Sequence, residues 1–420
     1  MTAHSPLKPS IAIQALMFIA TSLASLGNYY VYDSIGPVAE LLTRQLGISD
    51  TQIGTLNGIY SLPNIVMVLI GGILCDRFSA RAVALATAIV CLLGSILTAI
   101  GGDFVTMAAG RLLFGLGAET MLVAIPVALS QWFGGRYFAL FFALNISLSR
   151  LGSYLADVSP SFAKPLYDQG WQPPLWLAVG FAALSVAGAM VYWLVDRREA
   201  PRGTLAIAPP SDRIDWGNLL RFRAAYWYVV ALCVAFYAVI FPFRSTFAIK
   251  YFQNAHGLSL AQAGVLNSYV FLAAVFATPI FGLLVDRVGR HAALLVVGSL
   301  FLPLSFVLLG SGSDSVTLPT ILLGVSFSLV PAVLWPAVVR YVEPNQVGTA
   351  YGLMTMLQNV GLTLANVAAG YINDVSGASA ANPAGYGSML WFFGLLSLAG
   401  FVFALLLWRR DRAIPAAGLA

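Results

Sequence analysis

"GGILCDRFSAR" at residues 71–81 and "FGLLVDRVGR" at residues 281–290 decide the fold of this 420-residue chain. Gly72, Asp76 and Arg77 return as Gly282, Asp286 and Arg287, each 210 positions later, which is half the chain. Such a period, set among long apolar segments, predicts two six-helix halves related by an axis along the membrane normal. Halves of that kind place a site at their interface near the midplane and rock about it. The stretch from Asp196 to Arg223, rich in charge and proline, is the expected linker between them.

Composition supports the same architecture. Hydrophobic residues make up 59% of the chain and charged residues 9%, which excludes an ordinary soluble globule. The apolar runs are continuous, unlike the short alternating segments of a lipid-facing barrel, so the expectation is an all-α polytopic membrane protein. Twelve spans are expected, at 10–32, 49–74, 82–101, 104–131, 137–160, 173–195, 225–249, 259–285, 291–311, 316–340, 346–373 and 386–408. They divide the chain into an amino-terminal half (1–195), a linker (196–224), a carboxy-terminal half (225–412) and a short tail (413–420). The first run leads directly into further spans and shows no small-residue cleavage site before a soluble domain, so it does not read as a cleaved signal peptide.

With both termini on the cytoplasmic side, Lys8, Arg77, Arg81, Arg136, Arg197, Arg198, Arg202, Arg213, Arg221, Arg223, Arg287, Arg290, Arg340, Arg409, Arg410 and Arg412 all fall inside. Arg44, Lys164 and Lys250 alone fall outside. This bias orients the chain and accounts for its net charge of +5 without a nucleic-acid partner. Cys75, Cys91 and Cys233 have neither metal-site nor disulfide spacing and read as structural filler. There is no GxxxxGK[ST] loop and no HExxH pair, so no cofactor, no metal and no ATP-driven step is expected. Neither does a nucleophile-base arrangement among the spans suggest an enzyme.

Glu119 and Arg150 stand out because they lie inside spans. Glu119 precedes Trp132, at the cytoplasmic end of the fourth span, by 13 residues, or about 20 Å of helix. Arg150 follows Arg136, at the cytoplasmic start of the fifth, by 14 residues, or about 21 Å. The two opposite charges therefore share a depth. Arg111 and Arg244 sit nearer the outer boundary, about 30 Å along, where snorkelling is open to them, and Asp33, Asp157 and Asp374 are at outer helix ends. A charge at midplane costs at least ~2.5–3.5 kcal/mol, so Glu119 and Arg150 should face the bundle interior. A static ion pair joining the two spans is one explanation. Against it, the positions 210 residues later are Leu329 and Val360, so the second half holds the same helices together without those charges. A substrate with its own two charged ends is the other: Arg150 can hold a carboxylate bidentately and Glu119 can accept from an ammonium. Amino acids, short peptides and betaines all satisfy that description.

The repeated loop, G-x-x-x-D-R-x-G-R, resembles the signature of the major facilitator superfamily. The second copy fits from Gly282 to Arg290; in the first, Phe78-Ser79-Ala80 replaces the usual x-Gly and shifts Arg81 by one position. In that family such charges latch the cytoplasmic halves, which implies gating roles for Asp76, Arg77, Arg81, Asp286, Arg287 and Arg290; as bare residues they also serve as topology charges. "GRLLFGLGAE", "QWFGGR", "SLSRLGS", "YAVIFPF", "LWPAVV" and "VGTAYGLMTMLQNVG" together resemble the subfamily containing the lysosomal dipeptide uniporter of animals, over most spans and in the same order. In that subfamily the fourth-span Glu and fifth-span Arg lie in the substrate cavity. The resemblance thus implies a dipeptide, with its amine toward Glu119 and its carboxylate toward Arg150.

Further cavity candidates are Tyr60, Asn64, Asn145, Trp335, Asn359 and Tyr237, with Tyr29, Tyr30 and Phe241 as possible walls of side-chain pockets; polar residues in spans also serve as glue between helices. Pro63, Pro242, Pro331 and Pro336 interrupt helix hydrogen bonding and are candidate bends. Proton-coupled peptide carriers resemble one another in an acid-rich first span, whereas here that span has no acid before Asp33. The expectation is facilitated diffusion by alternating access, with a proton symporter using Glu119, or a drug or metabolite exporter of the same fold, as the alternatives. The amino-terminal tail has no acidic dileucine signal and the outer loops are short. A monomer in a bacterial cytoplasmic membrane, without an accessory subunit, is expected, with a small zwitterionic peptide and the lipid bilayer as its partners.

Overall fold

A computed structural model describes residues 10–133, 138–199, 222–288, 291–311, 315–343 and 346–413. Among them there is no strand: the chain is a bundle of long helices with short connections. The expected linker falls mostly at 200–221, and the tail at 414–420, outside the described residues, as does Arg290.

The first half contains α1 (Ile11–Asp33), α2 (Ile35–Leu46), α3 (Asp50–Gly58), α4 (Asn64–Phe78), α5 (Ala80–Ile100), α6 (Phe104–Phe133), α7 (Phe138–Phe162), the short α8 (Lys164–Asp168) and α9 (Gln172–Glu199). The second contains α10 (Ala224–Phe241), α11 (Ala248–His256), α12 (Leu260–Val288), α13 (His291–Gly310), α14 (Thr317–Ala337), α15 (Val347–Ser376) and α16 (Tyr386–Ala413). Nine helices among the described residues are long and apolar enough by composition to cross a membrane. The first and seventh spans extend beyond the sequence-based bounds: α2 continues α1, and α11 continues α10 through a π-helical stretch, Pro242–Phe247. Proline explains two of the irregularities. Pro63 follows a 3-10 turn that separates α3 from α4, and Pro242 opens the π segment, where its missing N–H removes one rung of the helix ladder.

Pseudo-symmetry is visible in the packing. α1 packs on α9 and α7, as α10 packs on α16 and α15; α5 packs on α6 and α9, as α13 packs on α14 and α16; α4 meets α6 as α12 meets α14. Even the helix caps repeat. Gly47 ends α2 at φ 68° and Gly257 ends α11 at φ 65°, a left-handed conformation that glycine adopts without steric cost. Ser49 and Gln52 then cap α3 reciprocally, and Ser259 and Gln262 cap α12 with the same two bonds. These two turns lie 210 residues apart and set the direction of the second and eighth spans alike.

The halves meet along two seams, α3 and α4 against α15, and α7 against α12. These seams exchange under the repeat. Elsewhere the surface is inverted relative to a soluble protein: Val105, Phe276, Val307, Tyr371 and Trp391 are among many large apolar side chains left exposed, as a lipid-facing exterior requires.

Candidate functional site

Between the halves lies a cavity of about 170 Å³, lined by Asn28, Tyr29 and Tyr32 from α1, Tyr60, Ser61 and Asn64 near the proline break, Glu119 and Leu122 from α6, and Arg150 from α7. The second half contributes Tyr237 and Phe241 from α10 and Gln358, Asn359 and Leu362 from α15. A second chamber of about 210 Å³ shares Asn28, Tyr29, Leu122 and Arg150 with the first and runs along α1, α6 and α7 past Met121, Ile125, Pro126, Phe142 and Asn145. A larger crevice of about 580 Å³ beside the start of α12 has no charged lining residue and no connection to these groups.

Glu119 and Arg150 therefore line one cavity. Glu119 is 4% exposed, and no ion pair joins it to Arg150 among the described residues. The Tyr60 phenol is the polar neighbour of the Glu119 carboxylate. Around Arg150 stand three rings rather than a carboxylate: its guanidinium carbon is 5.4 Å from the Tyr29 centroid, 5.4 Å from Phe271 and 5.0 Å from Phe327. Its Nη1 is buried and has no hydrogen-bond partner. Cation–π contacts keep such a guanidinium in place without consuming its N–H donors, which leaves them free for an anion.

The other expected site residues are distributed unevenly. Tyr60, Asn64, Asn359 and Tyr237 line the first chamber, and Asn145 lines the second. Asn64 Oδ1 is buried and unpartnered. Asn145, by contrast, donates to Ser22 and accepts from Ser25, tying α7 to α1. The Asn359 amide donates to the Thr355 carbonyl within its own helix. Trp335 stands behind the cavity wall: its indole donates to the Tyr237 hydroxyl at 2.9 Å and stacks on Tyr351. Asn28, Ser61 and Gln358 were not singled out from sequence; a search for polar residues at the depth of Glu119 would have found them.

Of the expected gating residues, Arg77 is exposed against the Phe78 ring, and Arg81 bonds Asp196 at 3.1 Å, within its own half. The side chains of Asp76 and Asp286 lie outside what is described. Asp196 also accepts from the Trp132 indole at 2.7 Å, so Arg81 braces α5, α6 and α9.

At the end of the bundle remote from the termini, the halves are latched. Arg244, on the π segment, bonds Asp33 at 2.5 Å and also Asp157, and Asn267 donates to Asp157. Lys250 bonds Asp50 at 2.5 Å and Thr43 at 2.8 Å, and Asp374 accepts from the backbone of Asp50 and Thr51. Gly264 lets α12 approach the Asp157 carbonyl more closely than any side chain would allow. At the other end, near the termini, Arg81 bonds Asp196 within the first half, and within the second Arg340 pairs with His291 and the Tyr341 hydroxyl donates to Asp411. The contacts of the buried arginines correct one reading of the sequence. Arg111 and Arg244 do not snorkel: they are 1% and 2% exposed, and Arg111 donates to the carbonyls of Leu56, Val31 and Tyr32 and to Asn57. A count of residues along a helix gives depth, but not which way the side chain points.

Comparison with known proteins agrees with this architecture. A family model described as Major Facilitator Superfamily matches residues 17–361 and again 243–418. The chain belongs to the major facilitator superfamily. It is accordingly an integral membrane transporter of major facilitator type and not an enzyme. Among curated relatives, "Lysosomal dipeptide transporter MFSD1" of Danio rerio is 30% identical over 374 residues, covering 86% of this chain and 81% of its own length. The Homo sapiens protein of that name is 29% identical over 380 residues, with 87% and 81% covered. Among solved structures, a bacterial homologue of the human lysosomal transporter Spinster, inward-facing and unoccupied, superposes with a TM-score of 0.78 at 16% identity over 97% of this chain and all of its own, a likeness of fold alone.

Proposed function

We propose that this transporter carries dipeptides, binding the amino end at Glu119 and the carboxylate at Arg150, by alternating access and as a uniporter. One observation carries the reading. Two opposite charges line a single cavity between the halves without bonding each other, and the cation has a buried N–H to spare. An unpaired buried charge is expensive, so a site that keeps one of each sign is built for a molecule that supplies the complements. The named relatives are dipeptide transporters, and the resemblance covers most of the chain.

Uniport follows from where the acids are. Asp33, the first acid of the first span, is committed to Arg244, Glu40 further along it pairs with Arg44, and Glu119 is the acid left for the ammonium. The chain, in this reading, sits in a bacterial inner membrane with both termini in the cytoplasm, in keeping with the positive-inside bias, so the latched end faces out and the cavity serves the inside. In this reading the halves 1–195 and 225–412 rock as bodies about the cavity, the linker 196–224 joins them, and Asp76, Arg77, Arg81, Asp286, Arg287 and Arg290 close the cytoplasmic end in the opposite state.

A thermal-shift series on purified protein tests the substrate. A ligand at 100 times its Kd stabilises the folded state by about 2.7 kcal/mol. Dipeptides should raise Tm with concentration, whereas free amino acids and dipeptides blocked at either end should not; stabilisation by lipophilic cations alone would point to an exporter instead. Uptake into proteoliposomes should dissipate a dipeptide gradient equally with and without an imposed pH gradient, and concentrative uptake driven by protons would overturn uniport.

A further inference from the structure

Phe271 belongs to two charged groups at once. Its ring centroid is 3.7 Å from the guanidinium carbon of Arg244, the centre of the latch, and 5.4 Å from that of Arg150, in the cavity. It is 1% exposed and packed edge-on against Phe327, itself 5.0 Å from Arg150. Its helix neighbour one turn earlier, Asn267, donates to Asp157 and to the Arg244 carbonyl. Asp157 in turn lies on α7, two turns beyond Arg150. Cavity and latch thus share one ring, on α12, and one facing helix, α7, from the other half.

We propose that Phe271 is the positioning residue that makes release of the latch depend on occupancy of the cavity. The inference rests on the reading of Arg150 as the carboxylate contact. In the latched state the empty carrier's Arg150, on the first half, has as partners two rings of the second half. Opening the latch moves the halves apart, and an unoccupied Arg150 then keeps the Tyr29 ring of its own half and loses Phe271 and Phe327. A bound carboxylate satisfies Arg150 in both states, so the loss costs less when the carrier is loaded. A ligand shifts such an equilibrium only through its different interaction with the two states, and the rings supply that difference. The same ring also caps Arg244, whose Nε is buried without a partner, so a change at Arg150 and a change at the latch act on one side chain. Desolvated cation–π contacts are strong enough to bias the empty carrier on the order of tenfold.

The test compares dipeptide exchange with net flux in proteoliposomes. In the wild type, exchange should exceed net flux, because the loaded carrier returns faster than the empty one. In Phe271→Leu, which keeps apolar volume but removes the ring, the ratio should fall on the order of tenfold, toward unity. Dipeptide Kd by thermal shift should stay within about threefold. Phe271→Met, softer in shape, is the second variant should the first fold poorly. Phe306→Leu removes a buried ring of the same half that touches neither arginine and should leave the ratio alone. A substrate-free measurement reads the latch directly: Ile249→Cys, buried at the remote end, should react faster with an impermeant thiol reagent in the Phe271→Leu background, since Cys75, Cys91 and Cys233 are themselves buried. An unchanged ratio with unchanged labelling overturns the proposal. So does a ratio that falls only in step with dipeptide affinity, or one that Phe306→Leu lowers equally. A wild type that binds no dipeptide sinks the substrate reading, and the labelling arm then decides the latch by itself.

Discussion

Arg244 and Arg150 are both arginines inside spans at the seam between the halves, and their surroundings differ in kind. Arg244 is enclosed by Asp33, Asp157, Ser245 and the Phe271 ring, and every anion near it belongs to the protein. Arg150 touches three rings, no carboxylate, and a cavity. Burial alone therefore does not identify a binding residue. What separates the two is whether the complement is built in, as at a latch, or withheld, as at a site that waits for a ligand. Arg111 extends the comparison, since it is more deeply buried than either and occupied by three backbone carbonyls and the Asn57 side-chain oxygen.

The sharpest way to break this contrast is to remove the occupied arginine. Arg111→Ala takes a donor from the carbonyls of Leu56, Val31 and Tyr32 and from the Asn57 side-chain oxygen; Val31 keeps its bonds from Ser34, and at 1–3 kcal/mol for each of the other three the total is on the order of 5 kcal/mol. Stabilities of folded proteins are about 5–15 kcal/mol, so loss of the monodisperse peak in size-exclusion chromatography is expected. Arg150→Ala should do the reverse: a well-folded protein with Tm near that of the wild type and no dipeptide stabilisation. A charge-assisted bond is worth about 1.5–3 kcal/mol, or roughly 10- to 150-fold in Kd. Should Arg150→Ala unfold the protein as readily as Arg111→Ala, the distinction drawn here collapses.

Glu119→Gln keeps an acceptor and loses the charge, so a weaker effect is expected, roughly tenfold in Kd for a free dipeptide. An amine-blocked dipeptide should bind poorly to both proteins and show no further loss in the variant. That double comparison isolates the pairing of amine and carboxylate from any general disturbance of the cavity. At the latch, Asp157→Asn leaves Arg244 with Asp33 alone and takes the charged acceptor from Asn267. Remote-end labelling should rise several-fold, about 1 kcal/mol, with dipeptide affinity preserved. A drop in affinity as large as that of Arg150→Ala would mean that latch and cavity are one site.

Much of this was legible in the sequence, for identifiable reasons. The 210-residue period in "CDR" and "VDR" announces the two halves, and the same period governs Gly47 and Gly257 and the caps at Ser49 and Ser259. Glu119 and Arg150 could be set at one depth because helix rise is constant and both spans have a charged or aromatic marker at the cytoplasmic end. The latch was not legible. Asp33, Asp157 and Arg244 come from three helices, and only assembly reveals that Arg244 points into the seam and not toward a headgroup. The π segment that turns it there has no sequence signal beyond Pro242. Trp335 illustrates the opposite error: an aromatic residue at cavity depth can stand in the wall behind the lining, fixing Tyr237 rather than meeting the cavity itself.

The two loop copies allow the finest comparison and the smallest predicted effect. Ser79 occupies the place that Gly289 holds in the second copy, and it is the one non-glycine residue with positive φ among the described residues, at φ 71° and ψ 146°. An L side chain there costs about 1–3 kcal/mol, because Cβ crowds the neighbouring carbonyl. Glycine removes that strain but has more freedom to lose on folding, a penalty of roughly 0.5–1 kcal/mol. Ser79→Gly should therefore stabilise the protein by about 1 kcal/mol net, read as a rise in Tm of a degree or two in detergent. Ser79→Val, branched at Cβ and less tolerant of that conformation, should lower it. Transport by Ser79→Gly reports on the motif itself. If the loop of the first half works only as a tight turn that aims Arg77 and Arg81, the glycine form should carry dipeptides at the wild-type rate. A slower carrier despite the higher Tm would mean that strain held at Ser79 helps the cytoplasmic end to part.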